Sequence, residues 1–325
     1  MNFVKQQLLN ISLLLIFALM PLVAFLLNEP FYLTLLSRVM IYAIAAISLD
    51  LILGYGGMVS LGHAVFVGFG AYSIGILAQH GIHNGYLAFA IAILGSALLA
   101  LLTGILSLRT RGIYFIMITL AFAQMLYYIT TNLSQYGGED GMSLISRSDF
   151  GSLLPLHNDT VFFYFVWLIL AIILIVGKRL VNSHFGMVLR GSHSNLRRMH
   201  ALGFNPFIYQ LSAYVIAGSL AGLAGALLAN QAQYVSPSYL HWTQSGHLIV
   251  MVVLGGLATL TGPLIGTTLF LLAEEFLSRW TEHWMIILGP ALLIIVLLGR
   301  GGVLGLSQNI LQKIKSYRSR GNKTS

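Results

Sequence analysis

Residues 86–106 read YLAFAIAILGSALLALLTGIL, a run of 21 residues without a charged side chain. A helix of this length rises about 30 Å, which matches the hydrocarbon thickness of a lipid bilayer. The whole stretch from Leu51 to Leu108 also lacks Asp, Glu, Lys and Arg. The run therefore predicts a transmembrane helix, and it sets the expected fold class for the rest of the chain.

Nine more apolar runs bring the total to ten. In chain order the ten runs cover residues 9–27, 37–54, 60–79, 86–106, 113–131, 160–177, 207–229, 246–261, 263–278 and 284–299. Of the 325 residues 57% are hydrophobic and only 8% are charged, whereas soluble domains carry about 25% charged residues. We expect an all-α polytopic membrane bundle of about ten transmembrane helices over residues 1–306, followed by a basic cytoplasmic tail at 307–325.

The positions of Lys and Arg predict the orientation of this bundle. With ten spans and a cytoplasmic N-terminus, only Arg38, Arg147 and Arg279 of the 17 basic residues fall on the outer side. Cytoplasmic loops of membrane proteins carry an excess of Lys and Arg, so both termini are expected in the cytoplasm. The net charge of +8 is explained by this topology, and we expect no binding to nucleic acid.

The most unusual stretch lies at residues 54–71, where Gly54, Gly56, Gly57, Gly62 and Gly68 occur within fifteen residues. So many glycines disfavour a regular helix. One interpretation is a kinked or re-entrant element that lines a substrate path, because irregular backbone at membrane depth is found where protein or a water-filled cavity covers it. The other is close packing between helices.

Polar residues in and near this stretch are the candidates for a translocation path. Asp50 is the one clear ionisable group that we place within a span, and its burial there makes it a functional candidate or a hydrogen-bonded helix cap. The candidate residues of the path are Asp50, Tyr55, Gly57, Ser60, His63 and Gln124. Residues 56–61 also resemble residues 255–260, which indicates either an internal repeat or two ordinary glycine turns.

Two loops are long enough to meet other molecules. The inner loop, residues 178–206, contains five Lys or Arg and no acid, so it could bear a short helix that contacts a soluble partner or anchor the chain to anionic lipid. The outer loop, residues 132–159, contains Glu139 and Asp140 among glycines. Two acids supply too few oxygen ligands for a calcium site, and we expect a periplasmic turn that could dock a partner.

Several chemistries find no support in the sequence. The chain has no cysteine, which excludes disulfides and thiolate metal sites. It has no Gly-x-x-x-x-Gly-Lys-Ser/Thr phosphate loop, so ATP hydrolysis is not expected on this chain. We expect no metal, no cofactor and no catalytic residues.

Several stretches, in the same order along the chain, carry a resemblance to a known family. They are residues 54–71, 109–121, 137–141, 201–203, 236–237, 252–266 and 300–306. Together they resemble the branched-chain amino acid ABC transporter permease family, LivM type. The inner loop departs from that family's usual pattern, in which acidic residues and an Ala-Ala pair precede Ala201-Leu202-Gly203.

The resemblance implies a multi-pass subunit of the bacterial inner membrane and a set of partners. These would be a second, LivH-like permease, two cytoplasmic ABC ATPases and a periplasmic substrate-binding protein. The inner loop would couple transport to the ATPases through Arg190, Arg197, Arg198, Ala201, Leu202 and Gly203. The implied substrates are branched-chain amino acids. Urea, short amides or aromatic acids are alternatives, and an ion-coupled secondary transporter is a less favoured one.

Overall fold

The computed structural model describes residues 15, 17–21, 31–151, 155–281, 283, 285–290 and 302. The predicted first span at 9–27, the last span at 284–299, the closing motif at 300–306 and the tail at 307–325 therefore lie largely or wholly outside the described residues. The described part is mostly helical, and it contains helices long and apolar enough to cross a membrane, which confirms an all-α membrane bundle.

Ten α-helices and one short strand pair make up the regular structure of residues 31–281. In chain order the helices are α1 Phe31–Asp50, α2 Ala64–Gln79, α3 Gly85–Ser107, α4 Ile113–Asn132, α5 Asp159–Asn182, α6 His184–Ser194, α7 Leu196–Ala201, α8 Pro206–Ala232, α9 Trp242–Gly255 and α10 Gly262–Ser278. A π-helical turn, Leu51–Tyr55, extends α1, and 3-10 turns occupy Ser134–Tyr136 and Pro237–Leu240. Strand β1, Met142–Ser143, pairs antiparallel with β2, Tyr234–Val235.

Five of these elements are long and apolar enough to cross a membrane: α1 with its π-turn, α3, α4, α5 and α8. The helices α2, α9 and α10 have 16, 14 and 17 residues. About 20 residues are needed for a full crossing, so these three helices are shorter than ordinary spans. The runs at 37–54, 86–106, 113–131, 160–177 and 207–229 are thus found as long helices.

The structure corrects three details of the sequence prediction. The run at 246–261 is wrong in its second half, because α9 ends at Gly255 and residues 256–261 form a turn. The inner loop is also shorter than predicted, since α5 continues to Asn182, and it contains two short helices, α6 and α7. Finally, α1 begins at Phe31, so Arg38 lies inside a helix and Asp50 is not the only ionisable residue within a span.

Helix α8 lies at the centre of the described bundle and packs against α1, α2 and α3. Its glycines let the backbones approach. A Cβ added at Gly225 would lie 1.8 Å from the carbonyl oxygen of Val67, and one added at Gly70 would lie 2.0 Å from that of Gly222. Helices in membranes associate through such small-residue contacts. The packing interpretation of the glycines is therefore confirmed for Gly70, which lies within α2.

One end of the bundle is held by Arg147, which follows β1. Its Nε donates a hydrogen bond to the carbonyl of Asn230 at 3.1 Å, and its Nη1 donates to the carbonyl of Leu156 at 2.9 Å. Its Nη2 lies 2.6 Å from Asp159 at the start of α5. These bonds connect the outer loop to both α5 and α8. The inner loop follows the other end of α5, opposite to Asp159.

Candidate functional site

The chain is unwound between α1 and α2, and this unwound segment, residues 58–63, is largely buried. Other helices satisfy its backbone. The amide of Leu61 donates to Thr119 Oγ1 of α4 at 3.3 Å, and the amide of Ala64, where α2 begins, donates to Ser245 Oγ of α9 at 2.9 Å. Side-chain partners of this kind are what irregular backbone needs inside a bundle. The expected broken helix is present, and it lies at the junction of several helices.

His63 and Ser48 form a buried polar pair beside the unwound segment. Ser48 Oγ donates to the carbonyl of Ala45 at 2.7 Å, and it lies 2.8 Å from His63 Nε2. Because the hydroxyl has only one proton, Nε2 must carry the hydrogen that joins it to Ser48. Nδ1 is then the lone-pair nitrogen, and no described residue bonds to it. His63 is thus held by one hydroxyl group, that of Ser48.

Asp50 joins the two glycine turns. The first glycine turn is residues 54–57, and the second glycine turn is residues 256–261. Asp50 Oδ1 accepts a hydrogen bond from the amide of Ala258 at 2.9 Å, and Ala258 has a positive φ of 56°. A Cβ at Gly54 would lie 2.1 Å from Asp50 Oδ1, so glycine is required for this bond. Asp50 therefore caps the second glycine turn instead of its own helix.

The two turns share a backbone feature but differ in surroundings. Gly57 and Gly256, which correspond in the suggested repeat, both have positive φ, 68° and 121°. Helices α9 and α10 pack closely against each other, whereas α1 and α2 make few mutual contacts. The similarity is thus local to the turns.

The first glycine turn also touches the inner loop. A Cβ at Gly57 would lie 2.3 Å from Cδ2 of His193 on α6, so the imidazole rests directly on the glycine. Beside this contact is an inner cavity of about 160 Å³, lined by the first glycine turn, the turn between α3 and α4, and the inner loop. Arg111 and Gln210 are among its polar walls. The cavity gives the glycine turn access to the inner side of the chain.

The inner loop forms a compact helical pair. Asn195 caps α7 by accepting from the amide of Arg198 at 3.0 Å. At the other end the amides of Gly203 and Phe204 donate to the carbonyls of His200 and Met199, which is a Schellman cap. Gly203 has φ 83° and nothing lies within 4 Å of an added Cβ. The short helix expected in the inner loop is therefore present, and it ends at this glycine.

The predicted coupling residues differ in their surroundings. Arg190 bonds its own loop, because its Nη2 donates to the carbonyl of Val181 and its Nε to that of Gly186. Arg197 and Arg198 are exposed, and Leu202 has 63% of its surface exposed. Ala201 is exposed as well. Five of the six predicted coupling residues, Gly203 included, are exposed, whereas Arg190 bonds to the loop itself.

The remaining predicted residues are spread over the molecule. Tyr55 and Ser60 are buried near Asp50 and the unwound segment, whereas Gln124 is half-buried on α4, about one and a half turns beyond Thr119. Glu139 and Asp140 are exposed in the outer loop, where the Asp140 carbonyl accepts from the Tyr234 hydroxyl.

Sequence reasoning missed three contributors to this region: Thr119, Ser245 and His193. The first two hold the unwound segment and the third contacts Gly57. Isolated hydroxyl residues in apolar runs are common, so nothing in the sequence singled them out. The described residues contain no cluster of three or more His, Cys, Asp or Glu side chains suited to a metal.

Comparison with known proteins gives a consistent picture. The profile of a family described as "Branched-chain amino acid transport system / permease component" matches residues 31–297. The chain is 27% identical over 308 residues to the high-affinity branched-chain amino acid transport system permease protein LivM of Salmonella typhimurium, covering 88% of this chain and 72% of that protein. It is 22% identical over 282 residues to LivH of Escherichia coli, covering 81% and 91%. No solved structure matches the chain.

Proposed function

This chain belongs to the branched-chain amino acid transport permease family, and we propose that it is the LivM-like subunit of an ABC importer in the bacterial inner membrane. It pairs with a LivH-like permease, receives leucine, isoleucine or valine from a periplasmic binding protein, and is driven by two cytoplasmic ATPases. The similarity to both LivM and LivH relatives supports a pair of related permeases.

The observation that carries this proposal is the contact between the inner loop and the first glycine turn. An exposed helical pair that presents Arg197, Arg198 and Leu202 suits docking to a soluble subunit. His193 in the same helical pair rests on Gly57. A displacement of the loop by an ATPase would therefore reach the membrane-embedded turn directly, without a long chain of intermediates.

The translocation path runs beside the unwound segment in this proposal. Ser60, His63 and Tyr55 offer neutral polar groups, and Asp50 is engaged with the second glycine turn. Among the described residues of this path Asp50 is the one carboxylate and no Lys or Arg occurs, whereas ion-coupled transporters generally use several charged groups within the membrane. The proposal therefore places the energy source on the ATPases and leaves this chain to form the route.

A reconstitution experiment tests the proposal. The chain is co-expressed with the second permease, the ATPases and the binding protein, and the complex is placed in proteoliposomes. ATP is enclosed in the vesicles whose lumen contains the inner loop and the ATPases, and the binding protein is added outside. We expect leucine uptake that requires ATP and the binding protein. A variant ATPase without its phosphate-loop lysine is the control. Uptake that persists with that variant and follows an imposed proton or sodium gradient would overturn the proposal.

The substrate class is determined with the same reconstituted transporter. The binding protein is titrated with leucine, isoleucine, valine, urea, acetamide and phenylalanine, and the ligands that bind are followed in uptake. Preference for the three branched aliphatic amino acids supports the proposed substrate. Binding and uptake of urea or acetamide alone would reassign it within the same family.

A further inference from the structure

Arg38 occupies an unusual place for a charged side chain. It lies seven residues after Phe31, where α1 begins, and thus about 10 Å along the helix. Its side chain is exposed on the surface of this chain. A charge facing lipid at such a depth is costly, and charged residues within spans normally face a partner, a cavity or a substrate. Arg38 therefore requires a polar counterpart on this face.

The described neighbours of Arg38 satisfy it only in part. The guanidinium carbon lies 5.8 Å from the centre of the Tyr42 ring. Glu274, on α10, is close enough to interact electrostatically with both Arg38 and Tyr42. Tyr239, in the 3-10 turn before α9, also lies within electrostatic reach of Arg38. We call these four residues the outer cluster.

The two opposite charges of the outer cluster are not in contact. Within the described chain, no carboxylate oxygen lies within 4.0 Å of an Arg38 nitrogen. A nearby pair shows the difference: Arg279 and Glu275 form an ion pair at 3.2 Å at the same end of α10. Arg38 and Glu274 thus interact electrostatically while more than 4.0 Å separates their charged atoms.

A small cavity, which we call the throat, lies beside Tyr42 and Tyr239 of the outer cluster. Tyr42, Tyr239 and Gln244 line it together with apolar side chains such as Leu248, and its free volume of about 10 Å³ suffices for about one water molecule. Ala64, the neighbour of His63, is another of its walls. The throat is thus too narrow in this structure to admit a branched aliphatic side chain. A molecule bound by the outer cluster would therefore lie outside the throat until it opens.

We propose that the outer cluster is an entry site for a zwitterionic amino acid, with Arg38 binding its carboxylate and Glu274 binding its ammonium group. This inference rests on the proposed function and deepens it. Arginine matches a carboxylate with two parallel hydrogen bonds. The substrate's own opposite charges bridge the gap between the two residues. Its aliphatic part faces the apolar walls of the throat, which opens when α1 and α9 separate.

The experiment uses the absence of cysteine from the chain, which makes a single introduced thiol the only labelling site on this chain, and labelling is read on this chain after the subunits are separated by electrophoresis. Gln244→Cys places that thiol in the throat, and Trp280→Cys, at a residue 79% exposed, serves as a control outside it. The complete transporter in detergent is labelled with a maleimide, with and without L-leucine. Isoamylamine lacks the carboxylate and isocaproate lacks the ammonium group, so they serve as probes of each half of the site.

We expect leucine to slow labelling at position 244 but not at position 280, and neither analogue to do so at the same concentration. Arg38→Gln and Glu274→Gln should each raise the leucine concentration needed for protection by about 10- to 100-fold, the usual effect of losing a hydrogen bond to a charged group. The matched variants Arg279→Gln and Glu275→Gln should leave it unchanged.

Two results would overturn the proposal. In the first, Arg38→Gln and Glu274→Gln retain the protection seen without these changes. In the second, the same variants weaken co-elution of the binding protein with the transporter while leucine protection is unaltered, which would make the cluster a protein-docking surface. Either result would reject the entry site only, because ATP-driven uptake would still support the proposed function. The proposed function is contradicted if leucine uptake by the protein without these substitutions does not depend on ATP.

Discussion

The contact between Gly57 and His193 predicts a defined effect of Gly57→Ala. Gly57 has φ 68°, and a side chain in the left-handed region costs about 1–2 kcal/mol. The new Cβ would lie 2.3 Å from His193 Cδ2, so the imidazole must move by about 1.5 Å to regain an ordinary contact. His193 is exposed, so it can move, and α6 is expected to shift with it.

Gly81→Ala is the matched control, because Gly81 has φ 75° and nothing lies within 4 Å of an added Cβ. Both variants should lose about 1–2 kcal/mol of stability, measured as similar decreases in thermal unfolding temperature in detergent. Only Gly57→Ala should lower the ratio of leucine transported to ATP hydrolysed, by about fivefold or more, the lower range of ordinary coupling free energies.

A second substitution separates strain from contact. His193→Ala in the Gly57→Ala background removes the clash and leaves the φ strain, so it should recover most of the coupling ratio and none of the stability. Equal coupling in Gly57→Ala and Gly81→Ala, or no recovery in the double variant, would refute the idea that this contact transmits movement of the inner loop.

Three more predictions follow from the packing. Gly203→Leu should leave the protein inserted in the membrane but uncouple transport from ATP hydrolysis. Gly203→Asn should retain coupled transport, because asparagine tolerates the left-handed region. Wild-type transport by Gly203→Leu would count against the loop assignment. Gly225→Ala should destabilise the bundle by several kcal/mol, because its Cβ would meet a carbonyl of α2 at 1.8 Å, and Gly246→Ala, which meets nothing within 4 Å, should be neutral in thermal unfolding. Asp50→Leu removes the acceptor of the Ala258 amide and should speed proteolysis of the second glycine turn, whereas Asp50→Asn should not; equal rates would contradict the bond.

The sequence predicts the long helices well, because each of them is an uninterrupted apolar run. The sequence predicts the ends of the helices less reliably, because single residues determine where a helix begins or ends. The predicted run 37–54 begins just before Arg38 because a charge normally ends an apolar run, whereas α1 begins six residues earlier, at Phe31. The end of α9 at Gly255 was missed because residues 257–261 are as apolar as a helix, while the positive φ of Gly256 ends the helix there.

The candidate site was predictable in position but not in its contacts. Glycines at 54–57 indicate a break in any apolar run, and the structure contains that break. The partners of Asp50 and Gly57 lie 208 and 136 residues away along the chain, at Ala258 and His193. Pairings over such separations depend on how the helices assemble, and a single sequence carries no direct signal for them.

The meeting of α2 and α8 at Gly70, Gly222 and Gly225 has a consequence for how this chain can diverge. At Gly70 and Gly225 the two backbones are in contact with no side chain between them. Replacing either glycine with any larger residue is therefore expected to destabilise the protein, since the new Cβ would lie 2.0 Å or less from a carbonyl oxygen. A variant that widens this seam would need simultaneous changes on both helices. Descendants of this sequence are therefore expected to adapt at the throat and the loops, and to inherit the seam unaltered.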